Sequence, residues 1–381
     1  MNIPKPEIRQ KTARYEGLDA LRVFSSFGVV FLHVYVAAGF PNSLWLFLKF
    51  RDFALPVMVM SSFFVLTVSL TRKPDSGFES FFSRRLKRLW IPLFIWTFVY
   101  SLSEAYLFPW LLSAETFGWL PPTVFFTGYR HLWFLQFIFV GSLIIYPLIK
   151  RMTDGESRAR IKLPIFCFGL SILYGFLSHS FLQNYTDWDN LSPEFDMSLR
   201  IFVSQAGNYI FYIPVAVGLA LGCGKINELF ARARFRRLSL AVVLITMLLH
   251  VGTNGIPLTR EIYGIAVFLA ALQPWRKISF SGWQTLASYS YGIYILHFFP
   301  AQILWLVVAA KNLNLDGATV LGVSVVIYFV SFAAAVLIRK LFPAHWLIIP
   351  MVAVRPKQER QTRATNKISF AALLRENTGE K

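Results

Sequence analysis

The stretch "LDALRVFSSFGVVFLHV", residues 18–34, has the apolarity of a membrane-spanning helix, yet it carries Asp19, Arg22 and His33. A helix needs about 20 mostly apolar residues to cross roughly 30 Å of hydrocarbon. Runs of this kind recur along the 381 residues: 18–38, 53–70, 90–108, 131–149, 163–182, 199–221, 238–252, 256–272, 285–309 and 318–338. The expected fold class is therefore all-α, a polytopic integral membrane helical bundle of about ten transmembrane helices. In lipid a helix satisfies its own backbone, whereas a barrel would need short alternating segments. Composition agrees, with 55% hydrophobic and 15% charged residues and a mean hydropathy of +0.51.

The formal charge of +18 reads as topology once its distribution is followed. Most of the 38 Lys and Arg collect on one side: in 5–14, 72–88, 150–162, 225–237, 276–277 and the tail from 339. Lys49, Arg51, Arg130, Arg200, Arg260 and Lys311 fall on the other, where "QNYTDWDNLSPEFDMS", 183–198, is acidic. Lys and Arg near helix ends are retained in the cytoplasm, so both termini are expected there. No nucleic-acid partner is implied. The N-terminal segment is polar and basic and suggests no removable signal peptide. Residues 1–350 read as one membrane domain and 351–381 as a polar basic cytoplasmic tail. Cys167 and Cys223 stand apart from one another and from any ligand spacing, so neither a disulfide framework nor a metal site is expected.

Within the first helix, Arg22 and His33 are separated by very nearly three turns, about 16 Å along the axis. Asp19, Arg22, Ser26, Val30 and His33 follow one stripe. Ionisable groups inside a membrane mark functional pathways by default. Equally, Asp19 and Arg22 could form an interfacial pair and His33 could be a hydrogen-bonded core residue. Spacing alone leaves both readings open.

Three further stretches carry chemistry. "FESFFSRRLKRLWIPLFIW", 78–96, places Arg84, Arg85, Lys87 and Arg88 before a span; Arg85 and Arg88, three apart on a helix, can share one phosphate through guanidinium forks. "YRHLWFLQFIFVGSLIIYPLI", 129–149, opens with Arg130, His131 and Trp133, which suit an aromatic belt or a sugar-stacking mouth. "LASYSYGIYILHFFP", 286–300, concentrates Ser288, Tyr289, Tyr291, Tyr294 and His297, whose buried hydroxyls need partners in a polar interior. Walker loops, HExxH, GxSxG and paired CxxC motifs are missing from the sequence.

Taken in order, "LDALRVFSSFGVVFLHV", "RRLKRLWIP", "HLWFLQFIFV" and "SYSYGIYILH" resemble the membrane acyltransferase-3 family, whose members O-acylate extracytoplasmic glycans. The resemblance runs from residue 18 to about 350. It implies a ten-helix bundle in the cytoplasmic (inner) membrane that takes an acyl group, most often acetyl, from cytoplasmic acyl-CoA. Acetyl-CoA or another acyl-CoA is then a cosubstrate, with no permanently bound cofactor, and the acceptor is a glycan or glycolipid hydroxyl. The family's arginine-to-histidine pattern falls on Arg22 and His33, which become the catalytic candidates, and its Arg-x-x-Arg element on Arg85 and Arg88, with Arg84 beside them, as acyl-CoA binders. Asp19, Ser26, Arg130, His131, Trp133, Tyr289, Tyr291 and His297 are candidates for lining the cavity and its acceptor mouth. Ser62 replaces a glycine common in the family and implies a narrower cavity. The alternative reading is a transporter or flippase for a lipid-linked sugar or small anion that uses Asp19, Arg22 and His33 as a relay; a third is a scaffold that binds partners through its basic loops.

Overall fold

The structure, a computed structural model, describes residues 15–72, 77–107, 130–154, 205–253, 257–274 and 281–342. All regular structure among them is helical. The helices are α1 (Glu16–Ala37), α2 (Trp45–Phe50), α3 (Ala54–Arg72), α4 (Phe78–Arg85), α5 (Ile91–Leu107), α6 (Trp133–Asp154), α7 (Tyr212–Leu221), α8 (Cys223–Ala231), α9 (Ala233–Gly252), α10 (Pro257–Ala271), α11 (Ser281–Leu296), α12 (Phe298–Lys311) and α13 (Gly317–Leu341). Among the described residues five helices are long and apolar enough to cross a membrane, or seven if each of two bent pairs is one span. The expected segment 163–182 lies outside the described residues.

α1 is the axis of the bundle and packs against α3, α11, α12 and α13. It separates two apolar clusters. Leu18, Leu21 and Val29 face one built largely from α3, α6, α7 and α10, while Val30, Phe31 and Val34 face another built from α11 and α13. On the outside, α9 exposes Leu238, Leu244, Ile245, Leu248 and Leu249, and α13 exposes Val326, Phe329 and Val330. Apolar faces of this extent are covered by lipid in a membrane protein.

Close helix contacts follow from small residues, since van der Waals packing rather than water drives association in lipid. A Cβ on Gly28 would meet the Ala54 Cβ at 3.1 Å, so α1 and α3 cross closely at that point. Helix ends are set locally. Asp316 caps α13 by accepting from the Thr319 N–H at 2.7 Å, and Asn312, in the left-handed region at φ 49°, ends α12.

The second span differs from expectation. Instead of beginning at residue 53, the apolar helical stretch runs Asn42–Arg72, interrupted by a 3₁₀ turn at Arg51–Phe53. Arg51 and Asp52, assigned from sequence to a loop, therefore lie inside it. The segment expected over 285–309 is also broken, bending by 47° between Leu296 and Phe298. Pro300 accounts for the bend, because it cannot donate to the Leu296 carbonyl and its ring crowds the preceding turn. Similarly, the turn Leu86–Trp90 is a π-helix that precedes Pro92. Proline there leaves the Arg88 carbonyl without its α-helical donor, and the Tyr291 hydroxyl donates to that oxygen at 3.4 Å.

Candidate functional site

Three histidines from three separate elements converge. His33 on α1 is half-buried; its ring centroid lies 5.0 Å from that of His297, at the α11–α12 bend, and 5.9 Å from that of His131, which sits in the 3₁₀ turn Arg130–Leu132 ahead of α6. His131 and His297 are 5.5 Å apart and both buried. Phe298 closes the group, stacked on His131 at 4.3 Å and edge-on to His33 at 5.1 Å.

The cluster is held by its neighbours. Tyr100 of α5 sets its ring 5.0 Å from His131 and donates its hydroxyl to the Ile295 carbonyl at 2.6 Å. Tyr294 donates to the His131 carbonyl. His297 Nδ1 lies 2.7 Å from the Tyr294 carbonyl, which can only accept, so Nδ1 carries the proton and Nε2 holds a lone pair in the neutral ring. That Nε2 is buried and has no hydrogen-bond partner among the described residues. An available imidazole lone pair therefore stands beside His33. Among the described residues no group of three His, Cys, Asp or Glu has an arrangement that could hold a metal ion.

Between the C-terminal end of α3, α4 and the π-turn that follows it, a cavity of about 300 Å³ is lined by Ser69, Leu70, Phe81, Arg84, Arg85 and Arg88. The Arg85 guanidinium stacks over the Phe81 ring at 5.5 Å. Burial, followed by the neighbouring charge of Arg88, pushes Arg85 down to about 10. Arg84 donates to the Ser80 hydroxyl. Two exposed guanidiniums and one half-buried one thus share a pocket with no carboxylate among its lining residues, which suits a phosphate-bearing ligand. α11 joins the two sites: Tyr291 touches the Arg88 backbone, and His297 lies about 9 Å further along the helix.

The remaining candidates are distributed elsewhere. Arg22 Nη1 is 3.9 Å from Asp19 Oδ1, three helical turns from His33, so Arg22 stands apart from the imidazole. Ser26 donates to the Val23 carbonyl at 2.9 Å and meets the Tyr328 hydroxyl at 3.3 Å, which ties it to α13. Tyr289 likewise turns to α13, accepting from Arg339 at 2.9 Å. Trp133 stacks on Tyr209 at 5.7 Å, and the Arg260 guanidinium lies 5.8 Å from that same phenol ring. Arg130 opens the turn that carries His131. Ser62 donates back to the Met58 carbonyl at 2.8 Å and does not line the arginine cavity.

Sequence reasoning missed Tyr100 and Phe298, whose aromatic character is unremarkable in a chain that is 17% aromatic. It also missed a polar cluster at the break in the span Asn42–Arg72. Asp52 Oδ2 lies 3.0 Å from His250 Nε2, His250 Nδ1 lies 3.2 Å from the Thr259 hydroxyl, and Asp52 Oδ1 pairs with Arg51 at 3.4 Å. The charged pair in "FRDF", 50–53, was the available signal.

The family model for the acyltransferase-3 Acyltransferase domain matches residues 15–340, and the chain belongs to that family. It is a multi-pass membrane acyltransferase. No curated protein and no solved structure matches it.

Proposed function

We propose that this enzyme carries an acyl group, acetyl by default, from cytoplasmic acyl-CoA to a hydroxyl of a cell-surface or lipid-linked glycan, and that it does so in the cytoplasmic membrane. The observation that carries the reading is the pairing of an arginine-lined cavity with a three-histidine cluster along α11. Arg84, Arg85 and Arg88 would hold the cosubstrate's phosphates, and the pantetheine arm would pass Asp19 and Arg22 to bring the thioester to His33.

At that point the acceptor hydroxyl gives its proton to the neutral His33 imidazole, its oxygen bonds to the thioester carbonyl carbon, and the C–S bond breaks. The CoA thiolate leaves and takes up the proton. If His33 is instead acylated first, it forms the same ester in two displacements, and the lone pair on His297 Nε2 can receive the acceptor's proton.

The test is transfer of radiolabelled acetyl from acetyl-CoA into glycan, in membranes matched for expression. His33→Ala should abolish labelling while acetyl-CoA still binds. Wild-type labelling that survives in His33→Ala removes His33 from the chemistry. A carrier for lipid-linked sugars would label nothing from acetyl-CoA in either membrane.

A further inference from the structure

A neutral imidazole that acts as a base offers a lone pair at one nitrogen and carries its proton on the other. Which nitrogen holds the proton is set by the hydrogen bond that the N–H makes. His33 touches the rings of His131, His297 and Phe298, yet among the described residues its imidazole makes no hydrogen bond. The acyl-transfer reading therefore leaves the tautomer of its base unassigned.

His297 has what is missing. It stands at the N-cap of α12, with its backbone N–H donating to the Ile293 carbonyl at 2.9 Å and its carbonyl accepting from the Ala301 N–H at 3.2 Å. The ring is fixed as firmly as the backbone. Nδ1 lies 2.7 Å from the Tyr294 carbonyl and 3.2 Å from that of Ile293, two groups that only accept, so the proton stays on Nδ1. Nε2 is left as an acceptor. It belongs to a fully buried side chain and has no hydrogen-bond partner among the described residues. Burying an acceptor without a donor is unfavourable, and the imidazole nearest to this one is His33.

The separation of the rings suits such a bond. Two imidazoles joined by an N–H···N bond of about 3 Å, with about 1 Å of ring on either side, have centroids roughly 5 Å apart. Those of His33 and His297 are 5.0 Å apart. The rings are tilted by 51°, and because χ2 of histidine is a soft torsion, rotation of the half-buried His33 ring brings its N–H onto the lone pair. His131 is placed less well, 5.9 Å from His33 and lying flat on Phe298.

We propose that His33 and His297 form a dyad in which His297 Nε2 accepts the His33 N–H, fixing the tautomer that leaves the other His33 nitrogen free to take the acceptor's proton. In direct transfer no proton crosses to His297, which is a positioning residue that acts through His33. When His33 becomes imidazolium the same bond strengthens, because its donor is then charged. In the route with two displacements, the acylated ring has no N–H once the CoA thiolate has taken its proton. The released Nε2 lone pair then takes the acceptor's proton and returns it to His33 as the N–acyl bond breaks. The inference rests on the acyl-transfer reading.

The experiment uses the full chain in nanodiscs, with histidine carrying the heavy isotope of nitrogen, and assigns the His33 signals by their loss in His33→Gln. Nuclear magnetic resonance of the wild type should show a nitrogen–nitrogen coupling between His33 and His297 and a single neutral tautomer at His33. Both should vanish in His297→Phe, which keeps a flat ring and removes the acceptor. In membranes that retain their own glycan, with radiolabelled acetyl-CoA, His297→Phe should lose about 100-fold in kcat while KM for acetyl-CoA stays within about threefold. His297→Gln supplies an amide oxygen as acceptor and should keep one tautomer and stay within about tenfold of wild type. A wild type without the coupling overturns the dyad, as does a His297→Phe enzyme that keeps kcat within about threefold or loses only in KM. Should His297→Phe fail to fold, the wild-type spectrum and the glutamine variant decide, and mixed tautomers at His33 in His297→Gln overturn the proposal. Wild-type membranes that transfer no label overturn the acyl-transfer reading and this role with it, whereas full transfer without the coupling overturns the dyad alone.

Discussion

Arg85 shows how one side chain can serve as wall and ligand at once. Its half-buried guanidinium lies over the Phe81 ring and shares the cavity with Arg84 and Arg88, and burial with a neighbouring like charge brings it down to about 10. A bound phosphate would favour the charged form, so the sign is fixed: affinity for the cosubstrate is retained while Arg85 stays protonated and falls as pH rises through about 10. Titration calorimetry of desulfo-CoA against pH should show that falling limb in the wild type and its loss in Arg85→Ala. At neutral pH the alanine variant should bind about 10- to 100-fold more weakly, the cost of a charge-assisted hydrogen bond of about 1.5–3 kcal/mol. Affinity unchanged in Arg85→Ala would detach the arginine cavity from the donor. Arg85 was legible in sequence because its motif is local. The Arg51–Asp52 pair was not, since the packing of Arg51 on Gly28 and the contact of Asp52 with His250 exist only in the fold.

Breaks within helices, more than the helices themselves, position this site. His297 takes its place because Pro300 bends the chain by 47°, and Arg88 is turned toward Tyr291 by the π-turn ahead of Pro92. Hydropathy located most of the apolar segments, but a running average treats a bent pair as one continuous segment and truncates a span at its internal charges. That is why 285–309 read as unbroken and the second span as beginning at residue 53. Straight stretches also depend on particular contacts. Gly264 of α10 lies so close to α3 that an added Cβ would stand 2.7 Å from Pro56 Cβ, a ring atom that cannot rotate aside. Gly264→Ala should therefore force the helices apart and cost about 1–3 kcal/mol. A thermal-shift measurement in detergent should show a lower melting temperature; an unchanged one would mean that the α3–α10 contact yields without strain.

For the molecule as a whole, chemistry and topology make one demand. The arginine cavity and the histidine cluster lie at different depths along α11, so a donor made in the cytoplasm can reach His33 only if the arginine end faces that compartment. Charge bias points the same way, since residues 72–88, 225–237 and the segment from 339 are basic and Lys and Arg near helix ends are kept inside. The bend at His297 and the interrupted span at Arg51 then fall toward the acceptor side. The expectation is that both ends of the chain are cytoplasmic and that 183–198 is not. Green fluorescent protein fused at either end should fluoresce, alkaline phosphatase fused there should be inactive, and phosphatase inserted within 183–198 should be active. The reverse pattern would place the arginine cavity outside, out of reach of acyl-CoA. It would leave the histidine cluster intact but require a donor other than a cytoplasmic thioester, because no rearrangement of side chains can move a phosphate site through the bilayer.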